Sequence, residues 1–258
     1  MNNKQIAFFD SGIGGLSILA EAVKQLPLED YLYFADNLHN PYGTKSREQV
    51  LEYAKSSVEQ ILKEPVKALV IACNTATSIV AEELRKSFNI PIIGIEPAVK
   101  PAIKLTHSIN KRVLVLATDL TIHQPKYLSL LARLNAQAKV DSLALPELVK
   151  FAEKLIFNQD EITDYFDKKF KMLDWNSYGV IVLGCTHFIF YKNFLKRYLP
   201  DHIKIVDGSA GTIKRLRQVL KDRVCLSSVG KAKINFLCSD KRHDYLEKMK
   251  NAFEFIAQ

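Results

Sequence analysis

Short continuous apolar runs alternate with amphipathic segments along the chain. Eight runs are rich in valine, isoleucine, leucine and phenylalanine: 6–10, 31–36, 68–73, 90–96, 113–118, 180–185, 203–207 and 234–240. Their apolar residues are consecutive rather than alternating, which is typical of strands covered on both faces. The pattern therefore predicts eight buried strands in mainly parallel sheets.

The segments between these runs have helical periodicity. Leu16 begins a predicted helix that ends before Pro27. Ser46 and Gln49 have the spacing of a capping box and predict the start of a second helix. The residues that this second helix turns inward are predicted to be Leu51, Ala54, Val58 and Ile61. Alternating strands and helices indicate an α/β fold.

Proline and glycine positions divide the predicted elements into two domains. Pro97 and Pro101 follow one predicted strand, and "VDGSAG" at 206–211 follows another. Taking these places as hinges, we expect a discontinuous first domain of residues 1–96 and 208–258 and an inserted second domain of residues 97–207. The expected architecture is two similar α/β domains with a ligand site in the cleft between them.

Two of the predicted strands end in a cysteine. Cys73 lies in "KALVIACNTATS", and Cys185 lies in "YGVIVLGCTHF". For either cysteine alone, packing as a small buried apolar residue is the simpler interpretation, and we keep it for Cys225 and Cys238. Packing explains the recurrence of a strand-end cysteine less well, because polar side chains follow both cysteines directly. Asn74 and Thr75 follow Cys73, and Thr186 and His187 follow Cys185. A chemical role for both thiols is therefore favoured.

The predicted positions of these two thiols suit proton transfer. Ligands of parallel α/β sheets bind beyond the carboxyl ends of the strands, where helix N-termini favour a thiolate. One thiolate can remove a proton as general base while a thiol on the other side delivers one as general acid. Inverting a stereocentre requires this geometry, so the two cysteines, one per domain, point to inversion at a single carbon.

A glycine-rich segment near the start offers a second part of the site. In "FFDSGIGGLSIL", glycines follow a predicted strand and precede a helix, so backbone N–H groups can approach a carboxylate. Ser17 stands at the sixth position of the dinucleotide-binding pattern G-x-G-x-x-G, and no P-loop motif occurs, which disfavours a nucleotide. Asp10 at the strand tip points to the same cleft as Cys73, although an aspartate before a glycine is also a common turn former.

Composition excludes several classes of protein. The chain has 258 residues, of which 48% are hydrophobic, and no apolar run approaches the roughly 18 residues of a membrane span. Its start does not resemble a signal peptide, so we expect a cytoplasmic protein and no membrane partner. The four cysteines have neither C-x-x-C nor zinc-ligand spacing, and we expect free thiols and no metal.

The net charge of +8 is concentrated in the last quarter of the chain. Residues 190–258 hold 15 lysine and arginine residues against seven acidic ones. Within them "GTIKRLRQVLKDR", residues 211–223, predicts a basic helix. A polyanion site is one interpretation, but no nucleic-acid motif accompanies the charge. A solvated basic face is therefore favoured, and a nucleic-acid partner is not expected.

Seven segments in order resemble the glutamate racemases of the cofactor-independent aspartate/glutamate racemase superfamily. They are "FDSGIGGLS", "YFADNLHNPYGTKS", "IACNTATS", "GIEPAVKPA", "TDLTIHQPKY", "LPELVKFAE" and "LGCTHF". The resemblance implies two α/β domains, a homodimer, and interconversion of L- and D-glutamate without pyridoxal phosphate or metal. It also implies that the product D-glutamate supplies peptidoglycan synthesis.

The resemblance further implies roles for individual residues. Cys73 and Cys185 would exchange acid and base roles, with Asp10 assisting Cys73, His187 assisting Cys185, and Glu153 as a supporting carboxylate. The implied substrate-binding residues are Asp10, Ser11, Tyr42, Gly43, Asn74, Thr75, Thr118, Thr121, Thr186 and His187. No motif offers an electron sink, so hydrogen bonds around the substrate carboxylate would stabilise the carbanion.

Three alternatives remain open at this point. An aspartate racemase, or a racemase of another amino acid, would use the same two thiols. A non-catalytic amino-acid-binding relative would not need both. A DNA- or protein-binding second role of the basic last quarter is the third and the least favoured.

Overall fold

The chain folds into two compact units. A computed structural model describes residues 4–107, 109–223, 225–240 and 243–257. Unit 1 comprises Met1–Glu96 and Ser209–Gln258, and unit 2 comprises Pro97–Gly208. Gly208 thus groups with unit 2, whereas it was predicted to belong to the first domain. Residues 1–3, 108, 224, 241, 242 and 258 of the predicted domains lie outside the described residues.

Unit 1 is built on a five-stranded parallel sheet. Its strands are β1 (Gln5–Asp10), β2 (Tyr31–Ala35), β3 (Val66–Ile71), β4 (Ile92–Gly94) and β9 (Ile234–Cys238), in the order β4-β3-β1-β2-β9. Its helices are α1 (Leu16–Gln25), α2 (Arg47–Ile61), α3 (Asn74–Ser87), α10 (Ser209–Asp222) and α11 (His243–Ala257). Helix α1 packs against α10 and α11, and α2 packs against α3.

Unit 2 is built on a four-stranded parallel sheet. Its strands are β5 (Arg112–Ala117), β6 (Val140–Ala144), β7 (Tyr178–Leu183) and β8 (Lys204–Asp207), in the order β6-β5-β7-β8. Its helices are α4 (Val99–His107), α5 (Asp119–Ile122), α6 (Pro125–Arg133), α7 (Pro146–Glu153), α8 (Gln159–Phe170) and α9 (Lys192–Tyr198). A 3-10 helix (Thr186–Tyr191) follows β7.

The two sheets repeat one topology. In each unit the first strand of the chain is central, the second lies on one side of it, and the third and fourth lie on the other. Thus β1, β2, β3 and β4 correspond to β5, β6, β7 and β8, and β9 extends the sheet of unit 1. The order reverses beside the first strand, and this switch point is where open α/β sheets bind ligands. The predicted class, α/β with mainly parallel sheets, is confirmed.

Local signals in the sequence are borne out at several elements. Ser46 accepts a hydrogen bond from the Gln49 N–H, and the Gln49 side chain accepts one from Ser46, which completes the predicted capping box of α2. The inward face of α2 differs at one position: Val50 is fully buried, whereas Leu51 is only half-buried. Helix α10 begins two residues before the predicted basic helix.

One predicted chain break was wrong, and one strand was missed. Pro101 does not interrupt the chain, because it is the third residue of α4, where the first turn requires no backbone N–H partner. Strand β6 was not predicted, because its residues VDSLA are mixed in polarity. It lies beside β5 at the sheet edge, and an edge strand needs no continuous apolar run.

A buried ion pair ties the chain together in unit 1. Lys67 donates to the Glu29 carboxylate, to the backbone carbonyl of Cys225 (2.8 Å) and to the hydroxyl of Ser227. Glu29 also accepts from the Ser227 N–H at 2.8 Å. Both charged side chains are almost inaccessible to solvent. This pair therefore anchors Cys225 and Ser227, which lie between α10 and β9, to the core.

None of the helices among the described residues combines the length and the apolar composition that a membrane span requires.

Candidate active site

The two strand-end cysteines occupy equivalent positions. In unit 1 the last pair of the β1–β3 ladder is Phe9 with Ile71, and in unit 2 the last pair of the β5–β7 ladder is Leu116 with Leu183. Each cysteine lies two residues beyond the third strand of its unit, Cys73 after Ile71 and Cys185 after Leu183. Both are buried thiols at the switch point of their own sheet.

Cys73 is held at the N-terminus of a long helix. It is the N-cap of α3, and its Sγ accepts a hydrogen bond from the Ala76 N–H at 3.4 Å. The hydroxyl of Ser11, which follows β1, lies 3.9 Å from the same sulfur. The helix dipole and this N–H group both stabilise negative charge on the sulfur. This environment suits a thiolate that accepts a proton.

Asp10 and the glycine loop close the same end of the sheet. Asp10 is fully buried at the end of β1, and its Oδ1 accepts from the Gly12 N–H at 2.8 Å. Gly15 permits the close approach of this loop, since a Cβ there would lie 2.8 Å from the Cβ atoms of both Ala72 and Asp10. The loop that was predicted to receive a carboxylate thus lies against the strand end that leads to Cys73.

Asn74 follows Cys73, and its side chain is buried. Within the described part of the chain, the buried side-chain oxygen of Asn74 has no hydrogen-bond partner. Buried polar atoms without a partner are rare in native proteins and need an explanation, such as a ligand. A bound molecule with an N–H group would supply the missing partner. Thr75 is buried next to it.

A polar cluster beyond β2 fixes Tyr42. The Tyr42 hydroxyl donates to Asp36 Oδ2 at 2.6 Å, and the His39 ring nitrogen Nδ1 lies 2.9 Å from the same carboxylate. His39 in turn stacks on Tyr53 with ring centroids 3.6 Å apart. Burial and the Asp36 charge raise the pKa of Tyr42 well above its ordinary value of about 10, with a smaller contribution from the charge of Cys73. Tyr42 is therefore a neutral hydrogen-bonding group, followed by the half-buried Gly43.

In unit 2, a histidine and a carboxylate accompany Cys185. The His187 Nδ1 lies 3.8 Å from Cys185 Sγ, and its Nε2 lies 2.7 Å from Glu153 Oε1. Glu153 is the last residue of α7, so this helix delivers the carboxylate to the 3-10 helix that carries His187. The sulfur, the imidazole and the carboxylate form one continuous chain of polar contacts.

These contacts favour the protonated form of His187. Burial alone disfavours the imidazolium, but the hydrogen bonds to Cys185 and Glu153 outweigh it and raise the pKa of His187 well above 6.5. A carboxylate behind a histidine both orients the ring and stabilises its positive charge. An imidazolium beside Cys185 can therefore stabilise a thiolate or return a proton to the sulfur.

Threonine hydroxyls surround the switch point of unit 2. Thr118 follows β5 as N-cap of α5, accepts from the Thr121 N–H at 3.2 Å, and has its hydroxyl 2.8 Å from the Thr121 hydroxyl. Thr186 is buried between Cys185 and His187. By ladder register, Thr118 occupies in unit 2 the position that Ser11 occupies in unit 1.

The sequence-based candidates thus fall into two groups, one per unit. Unit 1 holds Asp10, Ser11, Tyr42, Gly43, Cys73, Asn74 and Thr75, and unit 2 holds Thr118, Thr121, Glu153, Cys185, Thr186 and His187. We name these groups half-site 1 and half-site 2. Asp36 was missed, although it directly follows β2 and so belongs to the same strand-end edge. Among the described residues, no group of three or more histidines, cysteines or carboxylates is placed to hold a metal ion.

Comparison with known proteins gives a consistent result. Residues 16–216 match the family Asp/Glu/Hydantoin racemase. Glutamate racemase 2 of Bacillus subtilis (strain 168) is 47% identical over 255 residues, which cover 98% of this chain and 96% of the relative. The fold is similar to a glutamate racemase isoform from Bacillus anthracis, with a TM-score of 0.85, 29% identity, and coverage of 97% of this chain and 94% of that one.

A further solved structure is similar to the same extent. Escherichia coli glutamate racemase, in complex with L-glutamate and the activator UDP-MurNAc-Ala, has a TM-score of 0.84 and 29% identity, and the match covers 97% of this chain and 95% of that one. Family, sequence and fold agree over nearly the whole length. The chain therefore belongs to the Asp/Glu/Hydantoin racemase family and, within it, to the glutamate racemases.

Proposed function

We propose that this protein interconverts L- and D-glutamate through two cysteines, Cys73 and Cys185, which act on opposite faces of the α-carbon. One observation carries the proposal: the two thiols occupy equivalent ends of two sheets with the same topology, and each lies beside polar groups that can assist it. Packing alone does not explain why both units repeat this arrangement.

The reaction requires only proton transfers. A thiolate removes the α-proton, and the C–H electron pair stays on the α-carbon. The thiol on the opposite face then donates its proton to that carbon, which inverts the stereocentre. The first sulfur ends as a thiol and the second as a thiolate, so the reverse reaction starts from the opposite protonation state.

Each half-site assists its own sulfur. The Ala76 N–H and the N-terminus of α3 favour a thiolate at Cys73, and Asp10 lies at the neighbouring strand end. The imidazolium of His187, supported by Glu153, favours a thiolate at Cys185 and can also reprotonate it. We assign Glu153 a positioning role, because its carboxylate contacts His187 Nε2 at 2.7 Å.

Hydrogen bonds take the place of a cofactor in this proposal. The hydroxyls of Ser11, Thr75 and Thr186, together with the N–H groups of the glycine loop, suit the substrate carboxylate, where negative charge develops. The buried side-chain oxygen of Asn74, which accepts no hydrogen bond from the described residues, suits the substrate ammonium group. Tyr42, Gly43, Thr118 and Thr121 complete the proposed substrate contacts.

The compartment, the oligomeric state and the metabolic role are inferred from the similarity to glutamate racemases and not from the geometry of the site. We propose that the enzyme acts in the cytoplasm, that it forms a homodimer, and that its D-glutamate supplies peptidoglycan synthesis. Light scattering coupled to size-exclusion chromatography tests the dimer, and a mass of one chain at micromolar concentration would contradict it.

The deciding experiment follows deuterium into the α-position. Protein free of pyridoxal phosphate is incubated with L-glutamate in D₂O, with circular dichroism and mass spectrometry as readouts. We expect decay of the optical signal to zero with α-deuteration. We expect Cys73→Ser and Cys185→Ser each to lose about 10²- to 10⁴-fold in racemisation rate, the usual contribution of a general acid or base. Cys225→Ser, outside both half-sites, is the matched control and should retain the wild-type rate.

Other outcomes decide between the alternatives. Racemisation of L-aspartate in place of L-glutamate would make the protein an aspartate racemase and overturn the substrate assignment. Binding of glutamate without racemisation or deuterium exchange would make it a binding relative. A Cys73→Ser or Cys185→Ser variant that keeps the full rate would refute the two-thiol mechanism.

A further inference from the structure

The end of α7 is tied to the 3-10 helix of half-site 2 by a second contact besides the one between Glu153 and His187. The hydroxyl of Tyr191, the last residue of the 3-10 helix, donates to the backbone carbonyl of Ile156 at 3.0 Å. Tyr191 is fully buried. Burial, with a contribution from the charge of Glu161, raises the pKa of this hydroxyl well above its ordinary value of about 10, so the group is a neutral donor.

The chain turns sharply directly after α7. The Leu155 N–H donates to the Ala152 carbonyl, and the Ile156 N–H donates to the Phe151 carbonyl, both at 2.9 Å. These two hydrogen bonds form the Schellman motif of a helix end. Leu155 occupies the position of the motif that requires the left-handed conformation, and its φ is 55°. The motif fixes the turn that immediately follows Glu153.

Leucine is an unusual residue for this conformation. The left-handed region brings Cβ close to the following carbonyl oxygen, so glycine or asparagine usually occupies it. Helix α6 ends with the same pair of backbone hydrogen bonds, and there the residue is Asn135, with a φ of 48°. A strained backbone conformation persists only where the surrounding structure holds it. The Tyr191 hydroxyl, bonded to the carbonyl of the residue after Leu155, is such a contact.

Aromatic packing holds the same segment. Phe157 stacks on Phe190 with ring centroids 6.0 Å apart, and its ring centroid lies 5.7 Å from that of Tyr191. Phe190 and Tyr191 are both buried. Ring contacts restrain the segment without fixing one carbonyl in place. The hydrogen bond from Tyr191 to Ile156 fixes a backbone atom of the turn itself and is therefore the more specific constraint.

We propose that Tyr191 is a positioning residue of half-site 2, which holds the turn after α7 and thereby keeps the Glu153 carboxylate against His187 Nε2. The inference rests on the proposed function, in which His187 assists Cys185. Glu153 ends α7 two residues before the left-handed Leu155, so a change in the turn displaces its carboxylate directly. A displacement of about 1 Å among groups that take part in a reaction can cost about 100-fold in rate.

The test compares Tyr191→Phe with wild type. The variant keeps the ring in its packing and removes only the hydroxyl. His187 faces the Cys185 thiol and the Glu153 carboxylate, so a displaced carboxylate should lower the pKa of His187 toward its ordinary value. NMR titration of ring-labelled histidine should show this change, with the signal assigned through His187→Gln. We expect a kcat about tenfold lower and an alkaline limb of kcat/KM at lower pH.

Tyr127→Phe is the matched control. Tyr127 lies in α6 of the same unit, is also buried, and has its hydroxyl 2.7 Å from the Ser142 hydroxyl. The control variant therefore loses a comparable hydroxyl contact outside half-site 2. It should keep the wild-type titration of His187 and a kcat within about twofold of wild type.

A double variant tests the route through Glu153. If Tyr191 acts by holding this carboxylate, Tyr191→Phe/Glu153→Gln should lose no more kcat than Glu153→Gln alone, because both changes disable one unit. Losses that add would overturn the proposal.

Two further results would also overturn it. An unchanged His187 titration in Tyr191→Phe would mean that the turn keeps its place without the hydroxyl. Equal changes in Tyr191→Phe and Tyr127→Phe would reduce the effect to a general loss of packing. The NMR titration requires no turnover. If Cys185→Ser keeps the full rate while Tyr191→Phe still lowers the pKa of His187, the two-thiol mechanism fails and the positioning of Glu153 stands.

Discussion

Replacement of Glu153 by glutamine tests the proposed role of the carboxylate behind His187. The variant keeps the size of the side chain and removes its charge. The contact is short, 2.7 Å, and the two side chains are only 4% and 15% exposed, so water screens it little. Glutamine can still accept a hydrogen bond from Nε2, and the change therefore isolates the charge.

The size of the effect can be worked out in two ways. Coulomb's law with an effective dielectric constant of about 20 gives about 4 kcal/mol for unit charges about 4 Å apart, which is an upper limit because glutamine keeps a polar carbonyl. A hydrogen bond to a charged group is worth about 1.5–3 kcal/mol net. Loss of this energy should lower the pKa of His187 toward its ordinary value.

Two measurements check this prediction. NMR titration of ring-labelled histidine follows the pKa of His187 directly, and the alkaline limb of kcat/KM should move to lower pH by the same amount. Glu147→Gln is the matched control, since it removes the same charge from the first turn of α7, where the carboxylate contacts Tyr165 and Lys169. An unchanged His187 titration in Glu153→Gln, or equal shifts in both variants, would refute the reasoning.

The raised pKa of His187 also predicts how stability depends on pH. A group whose pKa is higher in the folded state stabilises it fully below the unfolded value of about 6.5, and this contribution is lost as pH rises through the folded pKa. Unfolding of unit 2 can be followed through Trp175, the only tryptophan of the chain. The free energy of unfolding should fall above about pH 6.5, by at most about 1.4 kcal/mol per pH unit from this group, and His187→Gln should remove that slope.

Three further variants test the buried ion pair, the capping box of α2 and the close approach of the glycine loop. Lys67→Met leaves the Glu29 carboxylate buried without its cation and should cost about 3–5 kcal/mol in urea unfolding; a loss below 1 kcal/mol would mean that the pair is dispensable. Ser46→Ala removes one half of the capping box and should lower the free energy of unfolding by about 1 kcal/mol, with racemisation unchanged. Gly15→Ala places a methyl group 2.8 Å from the Cβ of Asp10 and should cost about 1–3 kcal/mol and reduce kcat/KM; unchanged kinetics would show that the loop tolerates the shift.

Local rules account for the part of the fold that was predictable. The central strands β3 and β7 are buried along their whole length because both faces of each sheet are covered, and their apolar runs are visible without knowledge of the partner strands. The Ser46 capping box spans only three residues, so its hydrogen bonds follow from adjacent sequence. Strand β6 was missed because an edge strand has a weaker apolar pattern. Pro101 was wrongly interpreted as a chain break, because proline in a first turn does not end a helix.

The residues of the candidate site were also predictable only in part. Both cysteines were found because each directly follows an apolar run, and the βαβ alternation places such ends at one edge of a parallel sheet. Glu153 was suggested by family resemblance, and no local pattern near His187 points to it. Tyr42 was suggested by the family resemblance, but its cluster with Asp36 and His39 was missed, because the sequence places these polar residues in one loop without indicating that they turn toward each other.

By itself, the sequence determined the class of fold, the strand-end position of the two thiols and the family to which the chain belongs. Only the tertiary structure decided which groups accompany each thiol: Ser11 beside Cys73 across 62 residues of chain, and Glu153 against His187 across 34. The physical reason is that such contacts depend on strand order and ladder register. These are set by backbone pairing and packing between segments far apart in the chain, which no short stretch of sequence encodes.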